Sequence, residues 1–166
     1  MLLYAVLVLV ALQRLAELAW SRRNERALLA EGAVEHGRGH YPLFIVLHGG
    51  WLGAMALLIS PDAPVAWNWL GLFVILQVAR VWTVASLGRY WTTRVISLHG
   101  APLVRRGPYR FLRHPNYLIV SMEIATLPIA FGAWQMAAIF TALNLALLWH
   151  RIQVEEAALA ERRALG

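Results

Sequence analysis

Long apolar runs separated by short polar connections dominate this chain. Five stretches are apolar enough to form helices, at residues 2–20, 42–60, 66–88, 115–131 and 133–151. Each has roughly the 17 to 25 residues that a helix needs to cross the hydrocarbon core of a bilayer. No stretch alternates between apolar and polar residues as the strands of a membrane barrel do. We therefore predict an all-α integral membrane protein with about five transmembrane helices.

The connections between these runs differ in charge. The loops at 21–41 and 89–114 are rich in arginine, whereas the turns at 60–64 and 131–134 contain none. Because arginine-rich loops stay in the cytosol, the alternation predicts an outer N-terminus and an inner C-terminus in a bacterial inner (plasma) membrane. Tryptophans at both predicted interfaces agree, namely Trp67, Trp69 and Trp134 outside and Trp20, Trp91 and Trp149 inside.

Composition narrows the chemistry. Hydrophobic residues make up 60% of the 166 positions and charged residues 14%, which is too little polar surface for a soluble domain. Cysteine and lysine are both absent, which excludes disulfides, thiolate metal sites and lysine-based catalysis. The net charge of +6 comes from arginines, which include Arg162 and Arg163 in the tail. Membrane topology already explains where these arginines lie, so we expect no nucleic-acid partner. The six histidines lack metal-ligand spacing, so we expect no metal site.

Two sequence features predict close helix packing. Pro128 and Gly132 bracket a very short connection between the last two runs, which predicts a tight C-terminal helical hairpin. Gly49 and Gly53 in the second run form a small-xxx-small motif. Such a motif lets backbones approach closely, either inside one molecule or at the seam of a homodimer. The sequence does not decide between these two interpretations of the motif.

The hairpin brings two polar segments together. It places residues 114–117, at the end of the arginine-rich loop, beside residues 150–156, at the end of the fifth run. This juxtaposition predicts a pocket on the cytosolic side. The predicted organisation is a single membrane domain over residues 1–166, with N-terminal spans in 1–88 and the loop, hairpin and tail in 89–166.

The densest polar segment is residues 103–117, with four arginines, one histidine and two tyrosines between apolar runs. Gly107 and Pro108 predict a turn, and Pro115 predicts the first turn of a helix. The free N–H groups of a helix start favour an anion. Anionic headgroups alone would explain the arginines, at roughly 1 kcal/mol each. They do not explain His114 or the tyrosines, which indicate a binding loop.

The polar residues of the later runs allow two interpretations each. Arg151 and Glu155 lie four residues apart on one helix face. They either form a simple ion pair with each other or bind a ligand, with Arg151 holding an anion and Glu155 a cation. Arg14 and Glu17 in the first run are spaced to pair with each other. Arg80 and Glu123 fall inside predicted membrane spans, where a charge is energetically costly. The Arg80 side chain can extend to the membrane interface. Glu123 either pairs with Arg80 or lines a substrate cavity.

The C-terminal half resembles a known family. The pattern comprises Leu103-Val104, Gly107-Pro108-Tyr109, Arg113-His114-Pro115-Asn116-Tyr117 and, after the hairpin, Arg151-x-x-x-Glu155-Glu156. It is similar to the isoprenylcysteine carboxyl methyltransferase-like and phospholipid methyltransferase superfamily, whose members are integral membrane enzymes that use S-adenosylmethionine (SAM). The resemblance covers residues 86–160.

The resemblance implies specific roles by motif position. Its implied cofactor-binding residues are Ala101, Pro102, Leu103, Val104, Tyr109, His114, Pro115, Asn116, Tyr117 and Glu155, and its implied substrate residue is Arg151. In eukaryotic members a histidine stands where this chain has Ala101, and His99 is shifted from that position. The segment Trp91-Thr92-Thr93-Arg94 looks more like the small bacterial branch associated with type III polyketide synthases. In that branch the methyl acceptor is the hydroxyl of an alkylpyrone or alkylresorcinol.

The chemistry fits a reaction where two solvents meet, since SAM is polar and such acceptors are lipophilic. Methyl transfer is an in-line displacement in which catalysis consists largely of alignment. Arg151 would orient an acidic hydroxypyrone anion. A resorcinol needs a base, for which His150 and Glu123 are the candidates. The predicted catalytic residues are therefore Arg151, Glu123 and His150.

Other functions stay open from the sequence. The resemblance also allows carboxyl methylation of a prenylcysteine or N-methylation of a phospholipid, and an amine acceptor favours a carboxylate or an aromatic cage. A small helical transporter or membrane assembly factor would explain the intramembrane charges. It would leave unexplained the pattern of Tyr109, residues 114–117 and the Arg151/Glu155 pair. The expected partners are thus a lipophilic small molecule and membrane lipid.

Overall fold

Each predicted apolar run corresponds to one helix in the computed structural model, which describes the backbone of residues 1–164 and the side chains of residues 1–160. The tail arginines Arg162 and Arg163 therefore lie outside the described side chains. The helices are α1 (Leu2–Ala30), α2 (Tyr41–Leu58), α3 (Trp67–Leu87), α4 (Pro115–Ala130) and α5 (Trp134–Ala164). The predicted helical integral membrane protein is confirmed.

Four of these helices are long and apolar enough to cross a membrane, counted over the described residues. These four are α1, α2, α3 and α5, where α2 is counted with the 3₁₀ turn before it and α3 with the 3₁₀ turn after it. The fourth predicted span, α4, has 16 residues, which corresponds to a length of about 24 Å at 1.5 Å per residue. Nine of its residues are buried, so α4 packs inside the bundle and is shorter than the bilayer core.

The loop predicted at residues 21–41 is partly helical, which corrects its start. Helix α1 continues through residues 21–30 because arginine, alanine and leucine favour helix even where the sequence becomes polar. Ser21 and Asn24 in this extension are buried. The extension therefore packs against other parts of the protein and is not a solvated loop.

A small β-sheet joins two loops that were predicted as irregular. Strands β1 (Val34–His36) and β2 (Val95–Ser97) pair antiparallel, with Glu35 opposite Ile96. Short 3₁₀ turns occur at Arg38–His40, Gly88–Tyr90 and Gly107–Arg110. Because the strands are only three residues long and far apart in sequence, their pairing depends on the surrounding fold.

The segment 88–114, which we call the connector, is anchored to the extension of α1. The Asn24 side-chain amide donates to the carbonyls of Gly88 at 3.0 Å and Trp91 at 2.8 Å. The Thr93 backbone N–H donates to the Ser21 hydroxyl at 2.7 Å. Trp91 is consequently only 4% exposed, which corrects its predicted place in the interfacial aromatic belt.

The predicted tight hairpin joins α4 to α5. Pro128 accepts hydrogen bonds from the backbone N–H groups of Phe131 and Ala133, and Gly132 adopts a φ of +75°. A Cβ built on Gly49 or Gly53 would meet no described atom within 4 Å. This glycine pair therefore does not make the close internal contact that its spacing suggested.

Gly107 is the glycine whose replacement tests the connector. Its φ is +57°, and a Cβ there would lie 2.1 Å from the Ser86 hydroxyl. Gly100, with a φ of +71° and no atom within 4 Å of a built Cβ, is the matched control. Both alanine variants pay roughly 1–2 kcal/mol for the left-handed backbone, but only Gly107→Ala also collides with α3.

We therefore expect Gly107→Ala to melt at a clearly lower temperature than Gly100→Ala. Melting of the detergent-purified variants, followed by circular dichroism, measures this difference. Equal melting temperatures would contradict the packing of the connector against α3.

Candidate active site

A cavity of about 840 Å³ opens where the connector meets the helices. Residues from all five helices and from the connector line it, and examples are Ala11, Phe44, Arg80, Thr93, Asn116 and Arg151. The cavity is thus a product of the whole tertiary structure, and the hairpin forms only part of its wall.

Side chains of α4 and α5 form a hydrogen-bonded wall of this cavity. Arg151 Nε donates to the Tyr117 hydroxyl at 2.7 Å, and that hydroxyl donates to a Glu155 carboxylate oxygen. The His114 ring stacks on the Tyr117 ring at 5.3 Å, and its Nε2 lies 2.7 Å from Glu156 Oε1. We call Arg151, Glu155, His114 and Tyr117 the polar wall. The predicted juxtaposition of the loop end with α5 is therefore present.

Three residues hold the buried side chain of Arg151. Besides its bond to Tyr117, its Nη2 donates to the Thr93 carbonyl at 2.8 Å. Its guanidinium carbon lies 5.3 Å from the centroid of the Phe44 ring and 5.5 Å from that of Tyr117. Cation–π contacts of this kind stabilise a desolvated guanidinium. The geometry fixes a positive charge at the boundary between α2, the connector and the hairpin.

Thr93 and Phe44 are site residues that sequence reasoning did not single out individually. The Thr93 hydroxyl lies 3.0 Å from the Ser21 hydroxyl and 3.2 Å from that of Tyr41, so Thr93 links α1, α2 and Arg151. The resemblance of the 91–94 segment pointed to the neighbourhood of Thr93. No sequence signal identified Phe44, because it is one apolar residue in an apolar run.

Four of the ionisable residues within the predicted spans, Arg14, Glu17, Arg80 and Glu123, form one ion cluster. Glu17 accepts two hydrogen bonds from Arg80, at 2.6 and 2.7 Å. Glu123 lies 2.5 Å from Arg14 and 3.4 Å from Arg80, and it also accepts a bond from Gln77. Arg14 contacts Glu17 at 3.2 Å as well. Two guanidinium and two carboxylate groups thus neutralise one another.

The ion cluster decides between the alternatives left open by the sequence. Arg80 is 5% exposed and does not extend to the interface, and Glu123 is 1% exposed and pairs with Arg80. Glu123 does not line the cavity, whereas Arg14, Glu17 and Arg80 do. Arg80 Nη1 also lies 3.5 Å from Asn116 Oδ1. The cluster therefore forms a charged floor that contacts α4 at the polar wall.

The structure brings most of the predicted site residues to the cavity. Those that line it are Leu103, Val104, Tyr109, His114, Asn116, Tyr117, Arg151 and Glu155. Ala101, Pro102, Pro115, Glu123 and His150 are not among the described residues that line it. Pro115 is buried as the first residue of α4, and the exposed His150 makes an edge contact with His40, with ring centroids 5.3 Å apart.

Tyr109 reaches the cavity from the 3₁₀ turn Gly107–Arg110. Burial raises the pKa of its phenol above the ordinary value, and the Glu155 carboxylate raises it further. A raised pKa means that the proton stays on the oxygen to a higher pH. Tyr109 therefore offers a neutral hydroxyl and an aromatic face to the cavity.

Comparison with known proteins identifies the arrangement. A profile of the isoprenylcysteine carboxyl methyltransferase (ICMT) family matches residues 69–161, which is more than half of the chain. The chain belongs to this family. The matched region contains most of α3, the connector and the hairpin, and so it includes the polar wall and Arg80. The protein is therefore a membrane methyltransferase in general terms, and the resemblance drawn from the sequence is confirmed.

Two bacterial relatives extend over nearly the whole chain. Uncharacterized protein YpbQ of Bacillus subtilis (strain 168) is 38% identical over 165 residues, which cover 96% of each chain. An uncharacterized protein of Haemophilus influenzae is 26% identical over 153 residues, which cover 89% of this chain and 88% of the relative. No solved structure matches the chain significantly. Helices α1 and α2 lie outside the family match, although both contribute to the cavity.

Glu123 provides a test of the ion cluster. Glu123→Ala leaves two buried guanidinium groups with one carboxylate, so we expect the free energy of unfolding to fall by about 3–5 kcal/mol. Replacing Arg14 as well, in Arg14→Met/Glu123→Leu, removes one charge of each sign and should restore much of the loss. Denaturant or thermal unfolding in detergent measures both effects.

The control for this test is Glu31→Ala. Glu31 pairs with Arg89 where both side chains are about half exposed, and an exposed pair contributes at most about 1 kcal/mol. If Glu123→Ala and Glu31→Ala lost similar stability, the described cluster would not be a structural determinant.

Proposed function

We propose that this protein transfers a methyl group from SAM to an oxygen atom of a lipophilic acceptor, most simply a hydroxyl of the alkylpyrone or alkylresorcinol type. The observation that supports the proposal is a single cavity that has both a polar and an apolar lining. The polar wall forms one part of it, and lipid-exposed residues of α1 and α2 form another. A polar donor and an apolar acceptor can therefore meet in the same space.

The donor part of the cavity has groups that match SAM. A carboxylate such as Glu155 suits a cationic group, the stacked rings of His114 and Tyr117 suit a flat heterocycle, and Tyr109 offers a hydroxyl. Two further residues that line the cavity, Trp91 and Asn144, each have one buried polar atom (Nε1 and Oδ1) without a hydrogen-bond partner among the described residues. Buried polar atoms are normally paired, so these two residues are compatible with a polar ligand nearby. SAM would supply the methyl group as a sulfonium.

The acceptor part of the cavity opens toward lipid. Leu15 of α1 is 62% exposed and Ile45 of α2 is 55% exposed, and both line the cavity. In a bilayer such outward-facing side chains contact acyl chains. These exposed cavity-lining side chains on α1 and α2 therefore support lateral entry of an apolar acceptor. A cavity volume of about 840 Å³ is near the upper end of the ligand-pocket range and leaves room for two molecules.

Arg151 is the residue to which we assign orientation of the acceptor oxygen. Its guanidinium is immobilised by Tyr117, Thr93 and Phe44, so it stabilises negative charge on oxygen without reorganising. The same charge suits a prenylcysteine carboxylate, which is the second candidate acceptor. It disfavours a cationic phospholipid amine. Glu123 is enclosed in the ion cluster and His150 lies outside the cavity, so neither has a part in this proposal.

We propose that the site faces the cytosol of a bacterium and that the membrane is the inner membrane. The polar end of α1 and the connector concentrate arginines, whereas the opposite α2–α3 turn contains Asp62. Arginine-rich connections stay on the cytosolic side. SAM is made in the cytosol, which agrees with this orientation.

SAM binding tests the donor half of the proposal. Glu155→Gln keeps an oxygen that can accept from Tyr117 but removes the negative charge, so we expect about tenfold or greater weakening of SAM affinity, since a charged hydrogen bond contributes about 1.5–3 kcal/mol. Calorimetry on detergent-purified protein measures the affinity. Asp62→Asn, at the opposite end of the bundle, should bind like the wild type. Absence of SAM binding by the wild type would refute the proposal.

Product formation tests the acceptor half. Membranes that contain the protein are incubated with methyl-labelled SAM and a lipid extract of a bacterial host, and the labelled product is analysed. We expect label in an apolar product as an oxygen-bound methyl. Arg151→Ala should reduce transfer by roughly 100-fold, as for loss of one preorganised charge-stabilising group. Label on nitrogen, or full transfer by Arg151→Ala, would contradict the assignment.

A further inference from the structure

His48 is a cavity-lining histidine with a defined hydrogen bond. It lies on α2, and its Nδ1 is 2.8 Å from the carbonyl oxygen of Phe44, one turn earlier in the same helix. A carbonyl oxygen only accepts hydrogen bonds, so Nδ1 carries the proton. In the neutral ring Nε2, on the far side of the imidazole, then has the free lone pair. Such a ring is poised to accept a proton.

The position of His48 relates it to the polar wall. Phe44 lies under the Arg151 guanidinium, and His48 is four residues further along the same face of α2. Four residues of helix advance about 6 Å. His48 thus lies about one helical turn from Phe44, the residue whose ring contacts Arg151. It is also close along α2 to Ile45 and Gly49, which line the cavity and are exposed.

Other candidate bases of the cavity are already engaged. Among the described lining residues, the carboxylates of Glu17 and Glu155 bind Arg80 and Tyr117, respectively. The His114 ring contacts Glu156. The charged groups that share the cavity with His48 belong to Arg14, Glu17, Arg80, Arg94, Arg105, Arg113, Arg151 and Glu155. The other titratable groups there are those of His114, Tyr41, Tyr90, Tyr109 and Tyr117. Of these, His114 is the other histidine, so the test has to separate it from His48.

We propose that His48 is the general base of the reaction, and that the acceptor therefore has a neutral hydroxyl such as that of an alkylresorcinol. This inference rests on the proposed function. A preformed hydroxypyrone or carboxylate anion would need no base. A phenolic hydroxyl does, because it keeps its proton until about pH 10.

The step balances in atoms and charge. The acceptor oxygen forms a bond to the methyl carbon as the bond from that carbon to the sulfonium sulfur breaks, and the bonding pair stays on sulfur as a neutral thioether. The hydroxyl proton passes to His48 Nε2 and later to water. Arg151 stabilises the developing charge on the oxygen, and the His48–Phe44 hydrogen bond keeps the ring oriented.

The test uses an alkylresorcinol and an alkyl-4-hydroxypyrone as acceptors, with labelled SAM and full-length protein in membranes or detergent. His48→Asn can still donate to the Phe44 carbonyl but has no base at the Nε2 position. We expect it to lose about 100-fold or more in kcat for the resorcinol, the usual contribution of a general base. Transfer to the pyrone, and the affinity for SAM, should change less than about threefold.

The pH profile separates a base from a structural residue. The neutral ring is the active form, so the wild-type rate with resorcinol should rise with pH and level off well below the ionisation of the phenol near pH 10. This rise should vanish in His48→Asn, which assigns it to His48 instead of His114. The matched control is His36→Asn, since His36 lies on strand β1 and not at the cavity; it should behave like the wild type.

The outcomes distinguish the two proposals. Resorcinol methylation by His48→Asn within threefold of the wild type, with the same pH profile, overturns the role of His48 and leaves the proposed function intact. Wild-type methylation of the pyrone alone overturns the neutral-hydroxyl acceptor. Transfer to neither acceptor overturns both proposals. If His48→Asn fails to fold, the wild-type pH profiles with the two acceptors still decide, because identical profiles refute a base.

Discussion

A charge placed within a bilayer needs an opposite charge within reach, and this requirement governs the architecture. Arg14, Glu17, Arg80 and Glu123 come from α1, α3 and α4, and they neutralise one another through contacts of 2.5–3.4 Å. Because a buried charge left alone is strongly destabilising, these three helices cannot shift independently. The cavity lies against this cluster, so the same ion pairs that hold the helices also define its floor.

The polar wall depends on that arrangement through a second set of contacts. Arg80 reaches Asn116 at the start of α4, and the hairpin then aligns His114 and Tyr117 with the α5 residues Arg151 and Glu155. The connector completes the site, because Asn24 and Ser21 of α1 position the segment whose Thr93 carbonyl accepts from Arg151. Arg151 is thus held by three different parts of the chain, namely α2, the connector and α4.

In the proposed function, the donor and acceptor parts of the cavity come from different parts of the chain. The ICMT family match contains most of α3, the connector and the hairpin, to which we assign the groups that suit SAM. Helices α1 and α2 precede that match and supply Leu15, Phe44, Ile45 and His48 to the cavity. We expect acceptor specificity to reside there, since these residues border the opening toward lipid.

Several features were predictable from local sequence because their causes are local. The apolar runs determine five helices and membrane insertion, since backbone groups in lipid must be paired within a helix. Pro128 and Gly132 predicted the hairpin, and that hairpin was enough to predict the meeting of residues 114–117 with Arg151 and Glu155. These inferences needed only spacing, turn chemistry and the solvent preference of each segment.

Tertiary structure alone decided the partners of residues that are distant along the chain. Glu123 was equally suited to a cavity or an ion pair until α1 and α3 were in place beside it. Trp91 looked interfacial by sequence, yet the bonds from Asn24 bury it, and the pairing of β1 with β2 joins two separate loops. His48 and Phe44 had no distinguishing pattern in an apolar helix. Their relation to Arg151 arises only when α2 packs against α5, because a side chain's chemistry depends on which distant groups share its cavity.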